Sequence, residues 1–371
     1  MNQIITTDTL VVGAGPAGTF CAYNLLKAGR ECLLIDHATF PRDKICGGGL
    51  TVKAWTLLDE VMPNFKYPYQ CVRDIELNVD DVKCSFQAQH VIRIVVRKDF
   101  DHRLLQHYIA AGGQFMQGAF GSFQRQADGQ LLVTLKSGQQ VQCRHLVGAD
   151  GANSRVRKQL IGPYTDSILC LEQYQPKSRN VLVVDLSFTK YPGGYYYIFP
   201  AVDHDVVGYG HTGTNMPQFR QILAQKGIKE SKTHGAYIPI REVDTGRDDI
   251  ILIGDAGGFA NKLTFEGLYY ALATAHNAAQ AIIQHRSFTD TNADIFRKKR
   301  RERWLAALFY SRIGSRLVHH LARRPSLIKR QSLKRFGSKD SPTAAAYSFS
   351  HCGSLPSTYV TTASTVLPIY A

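Results

Sequence analysis

The stretch Leu10-Val-Val-Gly13-Ala-Gly-Pro-Ala-Gly18 decides the fold. An apolar run ends in a GxGxxG turn, and residues 17–28 after it have helical spacing. This is the strand–turn–helix context that a dinucleotide-binding βαβ unit requires. Gly13 permits the tight turn, Gly15 lets backbone approach a pyrophosphate, and Gly18 lets the helix lie close on the strand. Pro16 and Ala17 complete the loop, and the helix N-terminus behind it offers unpaired N–H groups and a partial positive charge. A second strand over 31–35 ends at Asp36, about 20 residues on, where a carboxylate suits ribose hydroxyls.

Two more glycine-centred loops lie far along the chain, Gly148-Ala-Asp-Gly151 and Gly254-Asp-Ala-Gly-Gly258. Each follows a predicted strand, over 145–147 and 250–253. Together the three describe one elongated dinucleotide contacted from three sides of a single domain. Asp150-Gly151 leads into Ser154-Arg-Val-Arg157. Asp255 sits at a strand-to-helix turn, placed to bond polyol hydroxyls, while N–H groups of Ala256 and Gly257, ahead of Gly258, face phosphate. Arg97, at the end of its own strand, is a candidate pyrophosphate partner. NAD alone would not need such wrapping; a tightly held FAD would.

With 371 residues, 44% of them hydrophobic, the chain has room for two domains or one interleaved one. Eight cysteines without a CxxC read as reduced thiols. The start of the sequence lacks the cationic, apolar pattern of a signal peptide, and no run nears the roughly 18 apolar residues of a membrane span. The expected location is therefore cytoplasmic, with peripheral attachment to the inner face of the membrane as a further expectation. The His residues, His211 included, form no ligand pattern, so no metal is expected.

Charge is concentrated. Residues 297–335 carry fourteen bases against the single acid Glu302, a formal +13 of the chain's +14. Phe296, Trp304, Leu305, Leu308, Phe309, Ile313, Leu317, Val318 and Leu321 thread this stretch near helical spacing. Two readings stand side by side: a helix packing its apolar stripe on the body, and a basic amphipathic helix on anionic lipid. Breaks at Gly314 and at Arg323-Arg-Pro325 predict two short helices. No recognition motif supports nucleic acid as a partner.

The remaining pattern predicts interleaved parts. Residues 1–65, 91–165 and 241–290 read as the FAD-binding domain, with a strand over 91–96 and a helix over 99–111. Residues 66–90, a hairpin turning at Asp80-Asp81, and 166–240, strand-rich and aromatic, read as a substrate domain. A helix is predicted over 267–283. Residues 291–336 form the basic helical segment, and 337–371, poor in charge and rich in Ser and Thr, read as a disordered tail.

At this point a resemblance is visible. GxGPAG at Gly13, GADGANS from Gly148 and GDAGG at Gly254 resemble the FAD-dependent family with the p-hydroxybenzoate hydroxylase-like fold. Narrower segments resemble its geranylgeranyl reductases. They are Pro41-Arg-Asp-Lys44-Ile-Cys46-Gly47-Gly48-Gly49-Leu50 (PxxKxCGGG), Phe265-Glu-Gly267-Leu268-Tyr-Tyr-Ala-Leu272 (GEGIYYA) and Tyr195-Tyr-Tyr197-Ile-Phe199-Pro200 (YxWxFP). Phe265 stands where glycine is usual, and Tyr197 replaces the tryptophan.

The resemblance implies an α/β fold: a Rossmann-like FAD-binding domain, an interleaved antiparallel substrate sheet and a C-terminal helical segment. It implies that Lys44, Cys46, Gly47–Gly49, Gly267 and Leu268 lie at the flavin, and that Tyr195, Tyr197, Phe199 and Pro200 line a lipid pocket. The implied reaction reduces isolated C=C bonds of a polyprenyl lipid with hydride from flavin and a proton, for which Cys46, Tyr195 and Tyr197 are candidates. The electron donor is left open between NAD(P)H and ferredoxin and would bind transiently. The alternatives are a monooxygenase of the same fold and a membrane-associated non-enzymatic flavoprotein; a halogenase is disfavoured because its tryptophan pair is absent.

Overall fold

The structure, a computed structural model, describes residues 3–188 and 193–323. The first half begins with β1 (Ile5–Val12), α1 (Pro16–Lys27) and β2 (Cys32–Asp36), followed by β3 (Gly49–Leu50) and α2 (Val52–Val61). A long hairpin, β4 (Gln70–Val79) and β5 (Val82–Ile94), leads to α3 (Arg97–Ala110) and β6 (Gln114–Gln117). Then come β7 (Phe120–Arg125), β8 (Leu131–Leu135), β9 (Gln140–Gly148) and α4 (Arg155–Ile161). The second half has β10 (Ser167–Pro176), β11 (Leu182–Leu186), β12 (Tyr195–Pro200), β13 (His204–His211), α5 (Met216–Gln225), β14 (Thr233–Pro239) and β15 (Ile250–Leu252). A 3₁₀ turn, Gly254–Gly257, precedes α6 (Leu268–Gln284), α7 (Phe288–Thr291), α8 (Ala293–Phe309) and α9 (Arg312–Ala322).

The strands form two sheets. The first runs β6-β2-β1-β9-β8-β7 and is parallel from β6 to β9. Along its far edge β9 pairs β8 near its start and β15 near its end. Alternation sets the layers. Leu10 and Val12 of β1 join the core under the β7–β8 hairpin, while Val11 joins the core made by α1, α3 and α6. The second sheet, β14-β10-β13-β12-β11-β4-β5-β3, is antiparallel except where β11 pairs β4. Its β12 is buried on both faces: Tyr195, Tyr197 and Phe199 enter one core, and Tyr196 and Ile198 the other, against Phe219 of α5. This is the α/β arrangement that the sequence predicts.

Three expectations need correction. The boundary at 90/91 falls inside β5, so the strand expected over 91–96 is the end of the hairpin and belongs to the second sheet. The helices α2 and α5 had no separate place in the sequence reading. The basic segment breaks at Ser311, not at Gly314. Ser311 caps α9 by accepting the Gly314 amide at 3.0 Å, and Gly314 is glycine because a Cβ there would lie 1.8 Å from the Leu308 carbonyl. The rest of that segment, from 324, and the tail over 337–371 lie outside the described residues.

Helices α8 and α9 carry two apolar faces. Ala306, Phe309, Val318 and Ala322 pack on the second sheet. Trp304 (80% exposed), Leu305, Leu308, Ile313 (76%) and Leu317 face outward among Arg301, Arg312 and Arg316. Lys299, counted with the bases, is buried instead. It bonds the Ala260 carbonyl at 2.5 Å and Glu302 at 3.2 Å. No helix among the described residues is long and apolar enough to cross a membrane.

Gly314→Ala should therefore detach α9 and destabilise the protein by about 1–3 kcal/mol through overpacking. Ser315→Ala, next to it, should stay within about 0.5 kcal/mol. Urea unfolding of both variants reads this out; equal stability would contradict the close crossing.

Candidate active site

The first loop is held by backbone. The Gly13 amide donates to the Ile35 carbonyl at 2.7 Å, and Asp36 accepts from the Ala14 and Ala38 amides at 2.6 and 2.8 Å. Asp36 thus ties the loop to the end of β2. Gly13 has φ 106°, and a Cβ on Gly18 would meet the Gly13 carbonyl at 1.7 Å. Gly15 precedes α1 without a capping side chain, while Pro16 and Ala17 start the helix, leaving its first amides open to an anion.

The other two loops converge on it. The Ala149 amide bonds the Val12 carbonyl at 2.8 Å, and the Ile253 amide bonds the Gly148 carbonyl at 3.0 Å. Asp150 turns its carboxylate inward to α4, accepting from the Ser154 hydroxyl at 2.5 Å and the Arg155 amide at 2.7 Å. Burial pushes its carboxyl above the usual range against these bonds. Gly151 has positive φ with open space beside it. Gly257 and Gly258 are glycines for packing reasons, against Phe259 and the Arg241 carbonyl. Asp255 lies 3.5 Å from the place a side chain on Gly267 would take, at the start of α6 just before buried Leu268.

The segment after β2 brings charge to this junction. Asp101 of α3, fully buried, accepts bidentately from Arg97 at 2.7 and 2.8 Å, and Arg42 joins it at 3.2 Å. Such forked pairs are strong and fix orientation. Burial opposes the Arg97 charge, but Asp101 and the neighbouring Cys46 thiol hold its pKa well above the ordinary value. Arg97 is therefore committed to Asp101. Arg42 is the cation that comes within 3.3 Å of the Cβ position on Gly15. Sequence reasoning missed Arg42 and Asp101.

Beyond Cys46 the glycines are pressed between neighbours. A Cβ on Gly47 or Gly49 would lie 3.0 Å from the Phe199 ring, and one on Gly48 (φ 75°) 2.0 Å from the Val95 carbonyl. Alternation along β12 puts Tyr195, Tyr197 and Phe199 on one face, with ring centroids 5.6 and 5.3 Å apart and Phe199 beneath this loop; Pro200 ends the strand. The Tyr195 hydroxyl donates to the Thr264 carbonyl. Tyr197 donates to Glu172 of β10 at 2.5 Å. Glu172 is buried, faces the Cys46 amide and Lys44, and has its carboxyl pushed up to about 7 by desolvation. Sequence reasoning missed it too, although an acid inside Leu169-Cys-Leu-Glu172 is out of place in an apolar strand.

The FAD binding domain family matches residues 6–168. A menaquinone reductase of Mycobacterium tuberculosis is 28% identical over 75% of this chain and 76% of its own length. A geranylgeranyl diphosphate reductase of Rhodobacter capsulatus is 26% identical over 74% of each. The chain is an FAD-dependent oxidoreductase, similar to geranylgeranyl diphosphate reductases over about three quarters of its length. Its fold matches a geranylgeranyl bacteriochlorophyll reductase-like protein of Thermoplasma acidophilum, with TM-score 0.75 at 19% identity over 87% and 92% of the chains. A probable FAD-dependent monooxygenase of Pseudomonas aeruginosa shares the fold at TM-score 0.67 and 15% identity, over 85% and 99%.

The flavoenzyme's residues fit its cofactor. The open α1 amides and Arg42 would hold the pyrophosphate, and Asp255 would take polyol hydroxyls. The Cys46–Gly49 loop and the β12 aromatic row would border the ring.

Phe265 sits at φ 55° in the left-handed region and stacks on Tyr195 at 4.9 Å. Phe265→Ala should cost about 3–5 kcal/mol for the lost ring. Phe265→Gly should be about 1 kcal/mol more stable than the alanine variant, because glycine relieves the backbone. Thermal unfolding of the pair checks the order; alanine above glycine would contradict the strain.

Proposed function

We propose that this flavoenzyme reduces isolated C=C bonds of a polyprenyl lipid of geranylgeranyl type, using the second sheet as its substrate side. The observation that carries this reading is the apolar row Tyr195, Tyr197, Phe199 and Phe265 beside the Cys46–Gly49 loop, in a relative of geranylgeranyl diphosphate reductases. FAD, once reduced by an external carrier, supplies the hydride. The protein's residues supply the rest. An unconjugated alkene has no carbonyl to polarise, so positive charge develops on one carbon; aromatic faces attract such charge. A buried apolar row also keeps water away from the reacting carbons.

Chemical reduction under anaerobic conditions, followed by geranylgeranyl diphosphate, should reoxidise the flavin and give a product two mass units heavier per reduced bond. Cys46→Ala should lower the rate while FAD content stays at the parent's level, because the thiol lies beside Arg97 at the loop. Reoxidation that needs oxygen, with a hydroxylated product, would favour the monooxygenase reading instead.

The outward face of α8 and α9 supports membrane docking. Trp304, Leu305, Leu308, Ile313 and Leu317 stand exposed among bases, each base contributing about 1 kcal/mol near an anionic surface. The chain should co-sediment with vesicles containing phosphatidylserine, shift Trp304 fluorescence to the blue, and release in high salt as screening sets in. Equal binding to neutral vesicles, or no binding at low salt, would contradict it.

A further inference from the structure

Tyr195 and Tyr197 lie on the same face of the same strand, yet their hydroxyls have different partners. Tyr195 donates to a backbone carbonyl, which has no proton to return. Tyr197 meets a carboxyl, and that carboxyl is otherwise poorly served. Glu172 Oε1 bonds the Tyr197 hydroxyl at 2.5 Å, while Oε2 makes no close hydrogen bond among the described residues and has only the Cys46 amide facing the carboxyl. A buried acid without an ion pair keeps its proton to higher pH than an exposed one, and below that pH the carboxyl carries a proton it can give away.

The cross-strand register makes the contact unavoidable. Glu172 on β10 and Tyr197 on β12 both pair with Gly208 of β13, which lies between them. A Cβ on Gly208 would lie 2.2 Å from the Tyr197 ring, so glycine there opens the path by which the phenol reaches the carboxyl. Around the pair stand Lys44 and Cys46 of the loop, Arg97 of α3, and Cys170 of Glu172's own strand. Lys44 and Arg97 pull the carboxyl toward its ionised form, but desolvation outweighs them and leaves it titrating at about 7.

We propose that Tyr197 delivers the proton of the reduction and that Glu172 is the buried store that recharges it. The inference rests on the alkene-reduction reading. With Glu172 neutral, its own O–H donates to the phenol oxygen, the reverse of the bond Tyr197 makes to the carboxylate, and this frees the Tyr197 proton. One alkene carbon takes the hydride and the other takes that proton as the Tyr197 O–H bond breaks. The phenolate oxygen then takes the proton of the Glu172 carboxyl. The carboxylate left behind is reprotonated from water, so the chain ends the cycle unchanged. Glu172 is a positioning and proton-storing residue in this scheme; it does not itself touch the alkene.

Two readouts test it on the FAD-loaded protein. Infrared titration of the oxidised holoprotein should show a protonated carboxyl band that disappears as pH rises through about 7. The band should be absent in Glu172→Gln. In Tyr197→Phe it should persist to higher pH, because the lost phenol bond favours the ionised form. In anaerobic turnover with geranylgeranyl diphosphate, the parent's kcat should fall above the same pH. Glu172→Gln, an isostere of the neutral acid, should lower kcat by about tenfold or more, with KM and FAD content unchanged and the pH dependence gone. A band that titrates near the ordinary carboxylate value, or a Glu172→Gln enzyme with the parent's kcat and pH profile, would overturn the proposal. Should the alkene reading fail, the infrared titration and its Tyr197 dependence would still stand, which separates the two failures.

Discussion

Asp101 is the point on which the site depends. It is fully buried on α3, and it is shared by two guanidiniums from different parts of the chain. Removing it would leave two cations at a buried junction, a loss of about 3–5 kcal/mol. Because Arg42 belongs to the segment that continues into the Cys46–Gly49 loop, that loop is anchored to the first sheet's helical layer through one carboxylate. The other guanidinium, Arg97, is the neighbour of Cys46. One buried acid therefore sets both the cation beside Gly15 and the environment of the thiol.

From that anchor the remaining geometry follows by packing. The loop is held on the second sheet: the Val95 amide donates to the Gly48 carbonyl at 3.0 Å, Gly49 pairs with Ile94, and Gly47 and Gly49 rest on Phe199. Phe199 in turn is fixed in a strand buried on both faces. Between the sheets, the Thr264–Phe265 turn is tied to Tyr195 by a hydrogen bond and a stacked ring. Glu266 beside it is half-buried, accepts from Thr51 at 2.6 Å, and has its carboxyl raised to about 7 by desolvation. Acids raised in this way stabilise the fold below their unfolded pKa, and that contribution is lost as pH rises through the folded value. Both Glu172 and Glu266 work in this direction, so their contribution is full below about pH 4.5 and fades as pH rises to about 7.

Much of this was legible in the chain because the glycine loops and the alternation of β12 are local patterns. A GxGxxG turn needs only its own strand and helix, and a Tyr-x-Tyr-x-Phe run states which side chains share a face. What was not legible depends on distant pairing. Arg42 and Asp101 meet only when α3 packs against the segment after β2. Glu172 finds Tyr197 only through two strand registers and a glycine between them. Arg97, read as a candidate pyrophosphate partner at the end of a strand, begins a helix and makes a forked pair with an acid one turn on. Lys299 looked like one more surface charge, because a sum over residues does not distinguish outward from inward faces. The hairpin was read short because β5 continues past its polar middle, where residues such as Gln87 and His90 interrupt the apolar alternation.

The most direct measurement is a titration of apoprotein with FAD, comparing the parent with Arg42→Ala. Arg42 is partly exposed, and its loss leaves the Arg97–Asp101 pair intact, so the variant should fold. The account predicts one FAD per chain for the parent and an affinity about 10- to 100-fold weaker for the variant, the effect of losing a charge-assisted contact. A parent that takes up no FAD, or a variant that binds it as tightly as the parent, would contradict it.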